Sequence, residues 1–293
     1  MASQPNLESQ EFTLPWRLSQ YRPLLTGLQK QSPKEQAAHQ RNLSRIDLFF
    51  LLRYVCGRVD MEHQWLLERC REVDYSPDEH LDLWAREHYK STIITFGKVI
   101  QDILSSHGDY PLEKWNGREV TVGIFSHTRP IAKGFLRQIK YEFERNILLK
   151  SLFPDVLYEN PHKEAPKWSE DDGIVVRRRS NPKESTVEAH GLVDGMPTGK
   201  HFHILNYDDV VTEKSVTTPE MMQKTTTALE LSYNLGMRGG IRRFIGTKYH
   251  LFDTYATIED RGTAKLRKHP ATESGEYPGK PVLLSDEEIA EKR

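Results

Sequence analysis

Between residues 79 and 259 the chain switches repeatedly between two periodicities, and this restricts its folds more than any other feature. His80-Leu81-Asp82-Leu83-Trp84 is a short strand-like run, followed across a polar turn by Ile93, Phe96, Ile100 and Ile103 on one helical face. Glu119–Phe125 alternates Val120, Val122 and Ile124 as a strand, and Ile131, Phe135, Ile139, Phe143 and Ile147 then recur every four residues as a helix, its stripe widened by Leu136 and Leu148. Gly173–Val176, Phe202–Tyr207 and Ile241–Ile245 read as further strands. A helix opens at Thr218-Pro219-Glu220, with a capping Thr and Pro in the first turn, and Phe252–Ile258 reads as a short one. Strands alternating with helices of these lengths predict an α/β layer architecture with a mostly parallel sheet.

The flanks differ from this middle part. Residues 1–40 are polar with four prolines and read as an arm. Residues 41–78 carry two apolar helical runs and read as a small helical subdomain, ahead of a core over 79–260. From Arg261 the tail, with Pro270, Pro278 and Pro281, reads as a linker. Cys56 and Cys70 fit no Cys-x-x-Cys motif and are too few for a disulfide scaffold, so a reducing, cytoplasmic setting is the simplest reading. No apolar stretch approaches the ~18 residues of a membrane span, and no membrane partner is expected.

Three strand ends carry candidate chemistry. The turn Trp84-Ala-Arg-Glu-His-Tyr-Lys-Ser-Thr92 joins the first strand to the first helix and places Lys90 and Ser91 at the helix start. There a Lys can reach terminal phosphates and a hydroxyl can hold Mg²⁺, although both glycines of the standard phosphate loop are missing, with Tyr89 in the place of one. Phe202–Tyr207 runs into Asp208-Asp209, where one carboxylate can hold Mg²⁺ and its neighbour can orient an attacking water. The third is Phe244-Ile-Gly-Thr-Lys-Tyr-His250, which ends a strand with a small residue, a hydroxyl and a base. Each alone is equally a cap or a turn; the three together, in order, at strand ends, point to a nucleotide site.

The series Ala85-Arg-Glu-His-Tyr-Lys-Ser-Thr92, Ile204-Leu-Asn-Tyr-Asp-Asp-Val-Val211 and Gly246-Thr-Lys-Tyr-His250 resembles the ATPase domain of phage terminase large subunits, the motors that package viral DNA. The resemblance covers about residues 45–260 and implies a P-loop NTPase of the ASCE type, with an extra strand between the phosphate-loop strand and the acid-bearing strand. It implies ATP and Mg²⁺ as cofactors. The loop Arg86, Glu87, His88, Tyr89, Lys90, Ser91 and Thr92 would bind nucleotide. Lys90 would meet the β/γ-phosphates and Arg86 the γ-phosphate, while Ser91 and Asp208 would hold the metal. Asp209 would orient the water, in a place where the family more often has Glu, with Glu213 as the alternative, and Thr247 would be the coupling residue. Gln64-Trp65 would read and stack on adenine. The implied partners are double-stranded DNA, a portal protein, a small terminase subunit and further copies in a homo-oligomeric ring of about five, in the cytoplasm of an infected bacterial host. The family continues into a nuclease domain, and nothing after Arg261 supplies its acidic cluster, so no DNA cleavage is expected. Two alternatives stay open: another DNA-dependent P-loop ATPase of the helicase kind, and a non-enzymatic prophage remnant that binds DNA or a partner.

Charge bears on the DNA expectation. The chain has 41 Lys+Arg and 42 Asp+Glu, a net −1, which on its own disfavours a polyanionic partner. The distribution is uneven, however. Residues 118–150 hold Arg118, Arg129, Lys133, Arg137, Lys140, Arg145 and Lys150 against three Glu; Arg177-Arg178-Arg179 with Lys183 form a compact run; and 235–252 hold Arg238, Arg242, Arg243 and Lys248 with no acid. Arg129, Arg179 and Arg242 are candidates for an arginine offered to a neighbouring subunit's nucleotide. His201-x-His203 lacks a third ligand at metal spacing and reads as two ordinary histidines.

Overall fold

A computed structural model describes residues 13–26 and 32–291. The first helices, α1 (Leu14–Thr26) and α2 (Pro33–Ile46), occupy much of the stretch that reads as a polar arm, whose residues 1–12 and 27–31 lie outside the described residues. The start of α2 follows from Ser32-Pro-Lys-Glu35: Ser32 accepts the Glu35 N–H, the Glu35 carboxylate takes the Ser32 N–H, and Pro33 fills the first turn. Next come α3 (Leu48–Phe50), continued by a π turn over Leu51–Val55, and α4 (Gln64–Tyr75).

Eight strands follow: β1 (His80–Trp84), β2 (Val122–Thr128), β3 (Trp168–Ser169), β4 (Gly173–Ile174), β5 (Val187–Asp194), β6 (Phe202–Asp208), β7 (Gly236–Gly246) and β8 (Lys265–His269). Their order is β3-β4-β5-β2-β6-β7-β1-β8, antiparallel only at β3/β4 and β4/β5. The helices between them are α5 (Val99–Ser106, continuing a π-helical run Thr92–Lys98), α6 (Arg129–Arg145), α7 (Ile147–Leu152), α8 (Pro161–Glu164), α9 (Pro219–Ser232), α10 (Thr254–Asp260) and, last, α11 (Asp286–Glu291). The α/β, mostly parallel architecture is as the periodicities require, and β7 lies between β1 and β6.

Two apolar cores cover the two faces of the sheet. Ile124, Ile204 and Ile245 face α3–α6, in one cluster that includes Phe49, Leu66, Ile100 and Leu136. Phe125, Leu205, Tyr207 and Phe244 face the other way, against Leu229 of α9 and Tyr255 and Ile258 of α10. Neighbouring residues in β2, β6 and β7 thus serve opposite cores, the period-2 signature of a sheet covered on both sides.

Several expected elements are corrected. The four-residue stripe is only partly the buried face: Ile139 and Phe143 are buried with Ala132 and Leu136, but Phe135 is half-buried, Ile131 is exposed, and Ile147 is exposed at the start of α7. Strict four-residue steps advance 400° on a 3.6-residue helix and drift off any one face within a few turns, whereas steps of four, three and four hold it. β2 starts at Val122, because Glu119 is pinned in the preceding loop, accepting the N–H groups of Arg179 and Ser180. The strand expected to Val176 stops at Ile174, and the last short helix begins at Thr254, capped by Asp253, not at the exposed Phe252. Sequence reading passes over β5, and the segment read as a linker contributes β8, which pairs along all of β1.

Candidate active site

The turn after β1 is set by its backbone. The Ala85 N–H donates to the His269 carbonyl of β8 at 2.9 Å, and Glu87 and Tyr89 then take φ values of 59° and 61°. These are left-handed conformations that glycine adopts freely and other residues at a cost, so the turn has a glycine-type shape without the glycines. The helix begins at Lys90, and the Ile93 N–H is the first to bond back, to Tyr89 O at 2.8 Å. The N–H groups of Tyr89, Lys90, Ser91 and Thr92 precede the first helical bond, as at any helix start, and together they make an anion-facing end. The Lys90 side chain is mostly covered, and its charge acts on Asp208 without a direct hydrogen bond.

Alternation along β6 aims the acids. Ile204 faces the α5 side, so Asn206 and Asp208 do too, while Leu205 and Tyr207 face away. Ser91 and Thr95 are four residues apart on the facing helix. The Ser91 hydroxyl donates to Asp208 Oδ1 at 3.1 Å, and the Thr95 hydroxyl donates to Oδ2. Two hydroxyls thus converge on one fully buried carboxylate, and Asn206 Nδ2, donating to Thr95 Oγ1 at 3.0 Å, holds one of them in place. Burial and then the neighbouring charge of Asp209 push Asp208 up to about 7, against the pull of Thr95, Lys90 and Ser91. A divalent cation would supply the countercharge that this environment lacks.

Asp209 lies half-buried at the strand's end with φ 49°. Its N–H bonds Ile245 O of β7 at 3.0 Å, and its carbonyl accepts from the His127 N–H at 3.3 Å. Thr247, half-buried, follows β7 at the same sheet edge. Two residues on, Tyr249 lies under the Arg86 guanidinium, 5.2 Å from its centroid. Lys90, Ser91 and Asp208 are therefore brought together, with Arg86, Thr92, Asp209 and Thr247 around the same edge. Glu87 is exposed on the turn, whereas His88 is buried, its Nδ1 2.7 Å from Arg86 O and its pKa lowered by burial. Glu213 sits exposed on a 3₁₀ turn beyond Val210 and Val211.

Three other expectations fare differently. Trp65 is buried under the turn, edge-on to Trp84, His88 and His269, and Gln64 accepts the Leu14 N–H while donating to Glu68, so neither presents an open face to a base. Of the three arginines, Arg129 starts α6 directly after β2, at the strand-end edge that carries Asp208, while Arg179 lies against Glu119 at the strand-start edge and Arg242 sits within β7, against Glu79. His203 is committed, its Nδ1 accepting the Thr121 N–H at 3.0 Å, and His201 is exposed. Sequence reading missed Thr95 and Asn206. Their signals were the spacings: Thr95 one helical turn after Ser91, Asn206 on the strand face of Asp208.

Among the described residues no group of three or more His, Cys, Asp or Glu side chains could hold a metal. Mg²⁺ bound with a nucleotide needs only one or two protein oxygens, its other ligands being phosphate and water. The donor set of a hydroxyl, a buried carboxylate and a nearby ammonium fits that arrangement. Among the described residues, no helix is long and apolar enough to cross a membrane. Compared by sequence, the chain matches no protein-family model and no curated protein.

Proposed function

We propose that this protein is a Mg²⁺-dependent ATP hydrolase of the P-loop class. On the sequence resemblance, it is the motor subunit of a viral terminase, which drives double-stranded DNA through a portal protein with a small terminase subunit and a homo-oligomeric ring. The observation that carries the hydrolase reading is the convergence of Ser91 on Asp208 at 3.1 Å, with Lys90 beside them at a helix start.

Lys90 and the N–H groups of residues 89–92 would hold the β/γ-phosphates, and Ser91 and Asp208 would hold Mg²⁺. The bound metal neutralises phosphate charge and steadies the leaving group. Lys90 and Arg86 would stabilise charge developing on the γ-phosphate, and Asp209, fixed at both its N–H and its carbonyl, would orient the water. Arg129 is the candidate best placed to meet a neighbouring subunit's nucleotide, and a low rate is expected before assembly.

Lys90→Ala is expected to abolish ATP turnover, and Asp209→Asn to keep nucleotide binding while stopping hydrolysis. Turnover at the parental rate in Lys90→Ala would overturn the assignment. A forked-DNA assay separates the motors: strand separation without a procapsid would favour the helicase kind over a packaging enzyme.

A further inference from the structure

The three basic clusters meet different fates in the fold. On α6, Lys133 and Arg137 pair with Asp171 and Glu170, and Lys140 pairs with Glu144. In and after β7, Arg242 pairs with Glu79, Lys248 with Glu259, and Arg243 is buried against Asp102. In the third, Arg177 pairs with Glu164, but Arg178, Arg179 and Lys183 line a half-open cleft of about 510 Å³, beside the segment leading into β5. Lys167, Arg178, Arg179 and Lys183 line it against a single acid, Glu184, whose carboxylate accepts the His201 N–H. Arg178 donates only to carbonyls, those of Glu184 and Pro182, so it stiffens the cleft without losing its charge to an acid. Lys183 likewise bonds the Gly199 carbonyl, and Arg179, mostly exposed, has only a loose 3.6 Å contact with Glu119. Tyr158 forms one wall, braced by the Arg177 guanidinium at 4.6 Å from its ring.

A concave surface with four cations, one committed acid and an aromatic wall concentrates positive potential where an anion can be partly enclosed. It lies near the starts of β2 and β5, away from the strand ends that carry Asp208. We propose that this cleft is a second, separate binding site, which takes phosphate groups. Their source is either the backbone of a nucleic-acid strand or a small phosphate compound.

The test uses the full chain, with a fluorescent 20-nucleotide DNA in one arm and inorganic pyrophosphate in the other. Arg179→Glu with Lys183→Glu is expected to weaken binding at least tenfold, and the milder Lys183→Gln severalfold. Lys90→Ala should leave this binding intact, which separates the cleft from the site proposed above, and Arg137→Glu on the neutralised α6 face should also leave it intact. Three phosphate contacts predict a slope of about −2 to −3 for log affinity against log salt with DNA. Cleft-dependent DNA binding supports the strand as source, and cleft-dependent binding of pyrophosphate alone supports a small ligand. No binding in either arm, binding indifferent to the double reversal, or equal loss in Arg137→Glu would overturn the proposal.

Discussion

Tyr89 holds a left-handed backbone conformation that costs a non-glycine residue about 1–2 kcal/mol. What offsets it is visible: the ring packs against the core cluster, and the phenol lies close to Asp60, itself paired with Arg58. The two effects can be separated by truncation. Tyr89→Ala loses the contacts and keeps the strain, whereas Tyr89→Gly loses the contacts and the strain together. Denaturant melts should therefore rank Tyr89→Gly above Tyr89→Ala by about 1 kcal/mol, the reverse of the usual Ala-over-Gly order near a helix. Equal stabilities would mean that the turn relaxes. Thr95 offers a second test, because its hydroxyl accepts from Asn206 and donates to Asp208. Thr95→Val keeps the shape but strips Asp208 of one donor and leaves the Asn206 amide unpaired, a stability cost of about 1–3 kcal/mol. It should weaken Mg²⁺–nucleotide binding roughly tenfold if Asp208 is mis-set by one hydrogen bond, and Thr95→Ser should restore it. Weakened binding in both variants would assign Thr95 to packing instead.

At the scale of elements, the strands with clean alternation were legible and those with charged interiors were not. β6 announces itself with Phe202, Ile204 and Leu205, but β8 is Lys-Leu-Arg-Lys-His with one apolar residue. Its place in the sheet depends on Arg267, which stands opposite Asp82 and bonds it at 2.5 and 2.9 Å, a partner 185 residues away. β5 hid for a similar reason. Glu188 and His190 interrupt its apolar run, yet both are buried, with Glu188 bonded by Lys200, His190 and the Ser185 N–H. Helix starts were more legible, since caps are local: Thr218 accepts the Met221 N–H ahead of α9 as its sequence suggests. The Asp82–Arg267 pair should behave as a buried ion pair. Arg267→Met alone leaves an uncompensated carboxylate and should cost about 3–5 kcal/mol, while the double change with Asp82→Leu should recover much of it. Additive losses in a double-mutant cycle would show that the pair does not hold β8.

Across the whole molecule, a second buried charge network ties the helix behind the candidate site to the central sheet. Asp102 of α5 meets Arg243 of β7 and Lys98, each at 2.7 Å, and Arg243 also bonds Asp78 ahead of β1. Arg243 looked like part of a surface basic cluster because sequence shows a charge but not its counterions, which lie 141 and 165 residues earlier. Burial alone would raise the Asp102 pKa; Arg243, Lys98 and Lys114 outweigh it and hold the carboxyl at about 2. The ordinary value lies higher, so the unfolded chain takes up this proton first as pH falls. The stabilisation is thus complete at neutral pH, begins to fade as pH drops through the ordinary carboxylate range, and is gone below about 2. It amounts to about 2 kcal/mol for the titration. Replacing Asp102 by Asn removes that proton uptake and leaves Arg243 and Lys98 short of a countercharge inside the core, a loss of about 3–5 kcal/mol at pH 7. Urea unfolding of the two proteins from pH 7 to pH 2 should show curves that lie far apart at neutral pH and converge in acid. Curves that stay parallel would mean that Asp102 is no more strongly held in the folded chain than in the unfolded one.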